Sequence, residues 1–149
     1  MTVAAALTQL NTVAQAATTS LGVRANLIFA APPDQIAAYP AIIHQWDSST
    51  FDQFPFGPVA TGMQKETAVI SVTYLSGVAT IARAHSAILA FVDAYRALIA
   101  ANQNLTDSVR QVRLLRASAG MVEYNGNDFV GADLVLEADL YHATTWVEA

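Results

Sequence analysis

The chain contains no cysteine, a single lysine and little charge of either sign: only 13% of its 149 residues are Asp, Glu, Lys or Arg. Without thiols there can be no disulfide, no thiolate metal site and no cysteine nucleophile. Stability must therefore come from packing or from assembly. Seven basic residues stand against twelve acidic ones, for a net charge of −5. A protein that holds nucleic acid by neutralising phosphates needs clustered Lys and Arg, so the charge balance argues against that class. No basic residue precedes Arg24, and Thr8, Gln9, Asn11, Thr12, Gln15 and Thr18 interrupt the opening stretch. It lacks the basic start and apolar run of a secretory signal, and also the ~20 apolar residues of a membrane span. The expectation is a protein made in the cytosol with no membrane partner.

The usual catalytic signatures are also missing. His44, His85 and His142 have no second histidine or carboxylate at metal-ligand spacing, so no metal site is assigned and the three read as ordinary imidazoles. No serine sits in a G-x-S-x-G turn, and the seven glycines are scattered instead of forming a phosphate loop. Asp133, Glu137 and Asp139 have the spacing of paired carboxylates, but alternate acids are also what the solvated face of an edge strand shows. No catalytic residue and no cofactor are assigned. A hydrolytic or small-ligand-binding domain would have to build its polar centre from His85 or His142 near Asp139.

What the sequence does have is apolar content, 54% of residues, enough for one domain with a sizeable core spanning residues 1–149. Val3, Leu7, Leu10, Ala14 and Ala17 recur at helical spacing and predict a helix over Thr2–Thr19, stopped near Gly22. Arg24–Ala30 reads as a short strand ending at Pro32-Pro33, and Tyr39–Trp46 as a second strand. Asp47–Met63, with Ser48, Ser49, Pro55, Gly57, Pro58 and Gly62, reads as a long loop. Strict alternation over Glu66–Leu75 predicts a third strand, and Ala79–Ala101 a long helix burying Ile81, Ile88, Val92, Tyr95 and Ile99. Val109–Ser118 fits a strand, with a short helix capped by Thr106 or Asp107 as the alternative. A hairpin turn follows in Tyr124–Asp128, and beyond Gly131 a last strand carries Leu134, Leu136, Ala138 and Leu140 on one face. The fold class is α+β in the order α-β-β-β-α-β-β: a mainly antiparallel sheet of about five strands with two helices packed on it.

Two clusters are candidates for contact with partners. Phe51, Phe54 and Phe56 in the predicted loop either fold back onto the core or, if exposed, mark an interface. Arg110, Arg113 and Arg116 form the only basic cluster and are either solvated or placed to line a channel, contact DNA or pair with acidic strands of a neighbouring subunit.

The layout as a whole resembles the tail-terminator and tail-completion proteins at the head–tail junction of siphophages. The likeness is carried by the Ala- and Leu-rich opening helix, Tyr39-Pro40-Ala41-Ile42-Ile43, Glu66–Tyr74 running into the Ala79–Ala101 helix, and Tyr124-Asn125-Gly126-Asn127-Asp128-Phe129-Val130-Gly131 before the final strand. The resemblance implies a structural virion subunit, assembled in the host cytoplasm, that forms a homo-oligomeric and usually hexameric ring. Such a ring caps the tail tube, ends its polymerisation and joins the head connector or stopper, with DNA passing through the lumen. A head-completion or adaptor role at the same junction is the neighbouring expectation.

Overall fold

The computed structural model describes residues 2–55, 61–77 and 80–145. Among these it is an α+β domain: helix α1 (Val3–Ala16), a one-turn helix α2 (Thr18–Leu21), strands β1 (Ile28–Phe29), β2 (Ala41–Pro55) and β3 (Thr61–Leu75), helix α3 (Ile81–Ala101), and strands β4 (Gln111–Tyr124) and β5 (Asn127–Thr145). The strands form one mixed sheet in the order β1-β2-β3-β5-β4, parallel only at β1–β2. The expected class and order hold, with the four-residue α2 as an added element.

The opening helix forms because Thr2 caps it, its hydroxyl accepting from the Ala5 amide at 3.1 Å. Ala6, Leu10 and Ala14 then fall on one buried stripe, flanked by Val3, Leu7, Val13 and Ala17. The helix breaks at Ala17, and α2 closes on Gly22, whose left-handed φ of 70° costs a residue without a Cβ nothing. On α3 the fully buried positions are Ala84, Ile88, Phe91, Tyr95 and Ile99, while Val92 is only half-buried. Asn102 ends α3, its Nδ2 donating to the Leu98 carbonyl at 2.9 Å. Ala82–Ala101 has a mean hydropathy of 1.3, long and apolar enough for a membrane span. Here it serves as the principal core helix.

Both long helices cover one face of the sheet. That face presents Ile42 and His44 from β2, Ala68, Ile70, Val72 and Tyr74 from β3, and Ala132, Leu134, Leu136, Ala138 and Leu140 from β5, all buried. Phe91 stacks on Tyr74 at 4.2 Å and 10° and contacts Tyr95 at 5.6 Å. Such aromatic pairs add about 1 kcal/mol each beyond burial. The other face is covered at one end only, where Ile43, Leu75 and Val122 pack with Phe29, Ile36, Tyr124 and Phe129. There the segment between β1 and β2 is tied down by the Tyr124 hydroxyl on the Pro33 carbonyl and by Asn125 on the Asp34 carbonyl.

Two expectations need correction, while the strand expected over Val109–Ser118 forms from Gln111 onward as part of β4. Arg24–Ala30 is mostly a 3-10 turn at Ala25–Leu27, leaving a strand of two residues. Most of the predicted Asp47–Met63 loop is strand: β2 continues to Pro55 and β3 begins at Thr61, paired from Ala41↔Leu75 to Pro55↔Gly62. A bulge between Trp46 and Ser48 shifts the side-chain phase there. The capped helix considered near Thr106 is absent, since Leu105, Thr106 and Asp107 all have positive φ, between 45° and 62°. The buried Leu105 anchors that left-handed turn. The last strand, β5, is an interior strand flanked by β3 and β4.

Candidate assembly surface

The sheet has two open edges. Among the described residues β4 pairs with no strand but β5, and its outer side is met near its start by the connection from α3, where the Val112 N–H donates to the Gln103 carbonyl at 2.7 Å. Among the described residues β2 has no strand on its outer side from Gln45 onward, because β1 pairs only with Ile42 and Ile43. Free edges present unpaired N–H and C=O groups to any strand that can reach them. Apolar groups accompany both: Trp46 is 48% and Phe51 56% exposed on β2, Leu115 53% and Met121 59% on β4. None of these four contributes to the core, so their exposure has no folding benefit.

The helical cover stops between His44, which is buried, and Trp46, which is not. Beyond that point a polar network holds the strands together. The Trp46 indole N–H donates to Ser49 Oγ at 2.9 Å, and Ser49 Oγ–H donates to Glu66 Oε2 at 2.6 Å. His142 Nε2–H donates to Glu66 Oε1 at 2.9 Å. This ties β2, β3 and β5 at one level and explains why Glu66 is buried. The carboxylate sits between hydroxyl and imidazole, so the order is Ser–Glu–His and differs from the Ser–His–acid order of a nucleophile relay.

Beneath the helices, His44 Nδ1 lies 3.0 Å from the Phe29 carbonyl and Nε2 lies 2.9 Å from the Tyr95 hydroxyl. A carbonyl only accepts, so Nδ1 carries the proton and Nε2 accepts from Tyr95. Burial outweighs the Phe29 hydrogen bond and lowers the imidazole to about 4, and it pushes the Tyr95 phenol up. The pair is a satisfied core contact.

On the helix-free face, Arg113 donates through Nη1 to Asp139 Oδ2 at 2.9 Å and through Nη2 to Glu137. The Asp139 bond is the first cause of its raised affinity for protons, with Glu137 adding to it. Lys65 Nζ stands 3.9 Å from Asp139 Oδ1, which has no hydrogen-bond partner of its own.

The predicted partner residues thus divide. Phe51 is exposed on β2, opposite Glu66. Phe54 belongs to the same strand, opposite Met63, and Phe56 lies outside the described residues. Arg110 and Arg116 are exposed and carry no ion pair among the described residues, whereas Arg113 is spent within its own subunit. Phe51 and Phe54 do not come together with the arginines: they lie on a strand at the opposite edge of the sheet. Nor does a centre of His142 and Asp139 form, because the two are three apart on one strand and point to opposite faces, His142 to Glu66 and Asp139 to Arg113. His85 is exposed on α3. Asp133, Glu137 and Asp139 line the helix-free face of an interior strand, and the last of them is buried.

Sequence reasoning missed Trp46, Leu115 and Met121. Trp46 flanks one strand bulge and Leu115 is the unpaired residue of the other, where alternation gives no signal, and Met121 follows Gly120 near the end of an edge strand. No protein-family model matches this chain, and no curated protein does so.

Proposed function

We propose that this chain is a structural subunit that assembles with copies of itself, and specifically that it forms the ring capping a siphophage tail tube. The observation that carries self-assembly is the pair of open sheet edges, each bearing exposed large apolar side chains, in a chain whose surface is poor in charge. Repeated edge contacts around a ring remove such surface from water without any change within the subunit. The tail-tube assignment is supported by the order of elements and by the four segments that resemble the tail-terminator proteins. In this reading the subunit belongs to the virion at the head–tail interface, touches the tube protein on one side and the connector or stopper on the other, and needs no cofactor. A net charge of −5 suits a conduit that passes DNA without gripping it.

The deciding measurement is light scattering with electron microscopy, on the purified chain alone and with the tube protein encoded alongside it. Closed rings near six subunits are expected in at least one condition. A monomer in both would defeat the assignment.

A further inference from the structure

The two open edges carry opposite charge. The free part of β2 holds Asp47 and Asp52 and no basic residue, and neither acid has an ion pair among the described residues. The start of β4 holds Arg116, with Arg110 just before it, both exposed and also without one. Isolated surface charges are unremarkable. Their positions along the strands are the informative part.

The ladders give each residue a level on the sheet. Gln111, Arg113 and Arg116 stand opposite Asp139, Glu137 and Val135 of β5. Those three stand opposite Thr67, Val69 and Ser71 of β3, which in turn face Thr50, Ser48 and Gln45 of β2. Asp47, the bulged residue between Trp46 and Ser48, therefore lies at a level between Arg113 and Arg116. Arg110 lies one residue beyond Gln111 and Asp52 two beyond Thr50, at the same end of the sheet. The second bulge, between Leu114 and Arg116, falls at this level as well. Both acids thus have an arginine at nearly their own height on the far edge.

Strand direction is also suitable. β2 runs antiparallel to β3, β3 to β5 and β5 to β4, so β2 and β4 run in opposite senses. A second copy set beside the first in the same orientation brings its β2 against β4 as an antiparallel pair. β1 blocks the β2 edge at Ile42 and Ile43, and Gln103 takes the Val112 N–H on the β4 edge, so backbone pairing is confined to the levels of Gln45–Ser48 against Arg113–Arg116, while Asp52 and Arg110 can meet only through their side chains.

We propose that the β4 edge of one copy pairs antiparallel with the β2 edge of the next, Arg116 meeting Asp47 along the paired strands and Arg110 reaching Asp52 through side chains alone, beside the Gln103 connection. This rests on the ring reading and specifies its subunit contact. The occupant is a second copy because both halves of the charge match are built into one chain. Pairing β4 with β4 would set arginine against arginine, which is unfavourable across strands. A contact between two different edges is head-to-tail, the kind that closes into a ring.

The test uses two variants of the full chain, Arg110→Glu with Arg116→Glu and Asp47→Arg with Asp52→Arg. All four positions are exposed, and circular dichroism with a melting curve verifies folding. Each variant alone has edges of one sign, so its self-association should weaken by at least ~10-fold. Mixed in equal amounts, the two regain complementary edges at every junction and should assemble as the wild type does. Wild-type association should also weaken as salt rises, because exposed charges are screened. If either variant assembles alone like the wild type, or if the mixture fails to assemble, the edge pairing is wrong while the ring reading stands. If the wild type itself stays monomeric with tube protein present, the ring reading fails and the edge pairing with it.

Discussion

The two ends of the β2–β3 ladder have opposite characters. From Ala41 to His44 the strand is buried on both faces, Ile42 and His44 beneath the helices and Ile43 with its neighbour Leu75 in the smaller cluster on the other face, and Val72 and Tyr74 of β3 are buried as well. From Gln45 to Asp52 the same strand is almost wholly solvent-facing, although it remains hydrogen-bonded to β3 at every level. Nothing in the hydrogen bonding separates them. The difference is the helical cover: one end is stabilised by burial of apolar area, the other by a ladder and a few charge-assisted bonds. A strand that stays ordered without cover has its side chains available for something else.

The contrast can be broken most sharply at the covered end. Phe91→Ala removes the ring stacked on Tyr74 and in contact with Tyr95, and should cost about 3–5 kcal/mol in a denaturant titration. Next comes acid. His44 is neutral in the folded state with its pKa lowered to about 4 from 6.5. The unfolded chain therefore binds more protons between those values. The stability that His44 contributes is complete above pH 6.5 and is lost as pH falls toward 4, on the order of 3 kcal/mol from the shift. Unfolding free energies compared at pH 7 and pH 4.5 should show this loss, and His44→Gln should have a flatter profile over the same range. An unchanged slope in the variant would assign the acid sensitivity to other groups.

At the open face the effect should be smaller. Arg113→Ala leaves Glu137 and the buried Asp139 without their guanidinium. Because Arg113 is itself partly exposed, a loss of about 1–2 kcal/mol is expected rather than the full cost of an orphaned buried charge. Smallest of all should be Phe51→Ala, on the uncovered stretch. Stability should change by less than ~0.5 kcal/mol, while self-association measured by light scattering should weaken. A stability loss as large as that of a core residue would show that Phe51 is covered after all.

The same contrast decided how much could be read from sequence. Alternation over Glu66–Leu75 and beyond Gly131, and the helical stripes of α1 and α3, were legible because one face of each is buried and the other is not. The outer half of β2 was unreadable for the converse reason: Gln45, Ser48, Ser49, Thr50 and Asp52 stand on both faces of a strand with no buried side, and the bulge at Asp47 breaks the phase. Polar residues with Pro and Gly nearby then look like a loop. The edge strand β4 gave a mixed signal because Arg116–Ala119 is exposed on both faces. For the candidate surface, Phe51, Arg110 and Arg116 were named from sequence, but their opposite placement required the strand order. The Glu66–His142 contact spans 76 residues, a separation that no local pattern reports.

The pairing of β3 with β5 also has a consequence for how the chain reaches this state. Residues 61–75 find one neighbour in β2 at once but must wait for residues 127–145 to find the other. Loop closure of that length precedes any gain from the contact, so the centre of the sheet forms late and folding is slow for a domain of this size. Until β5 arrives, the inner side of β3 is itself an open edge, with Ala68, Ile70 and Val72 lacking their β5 partners. A nascent or truncated chain that ends before Asn127 therefore exposes the inner side of β3 at an edge that is available to any other unfinished copy.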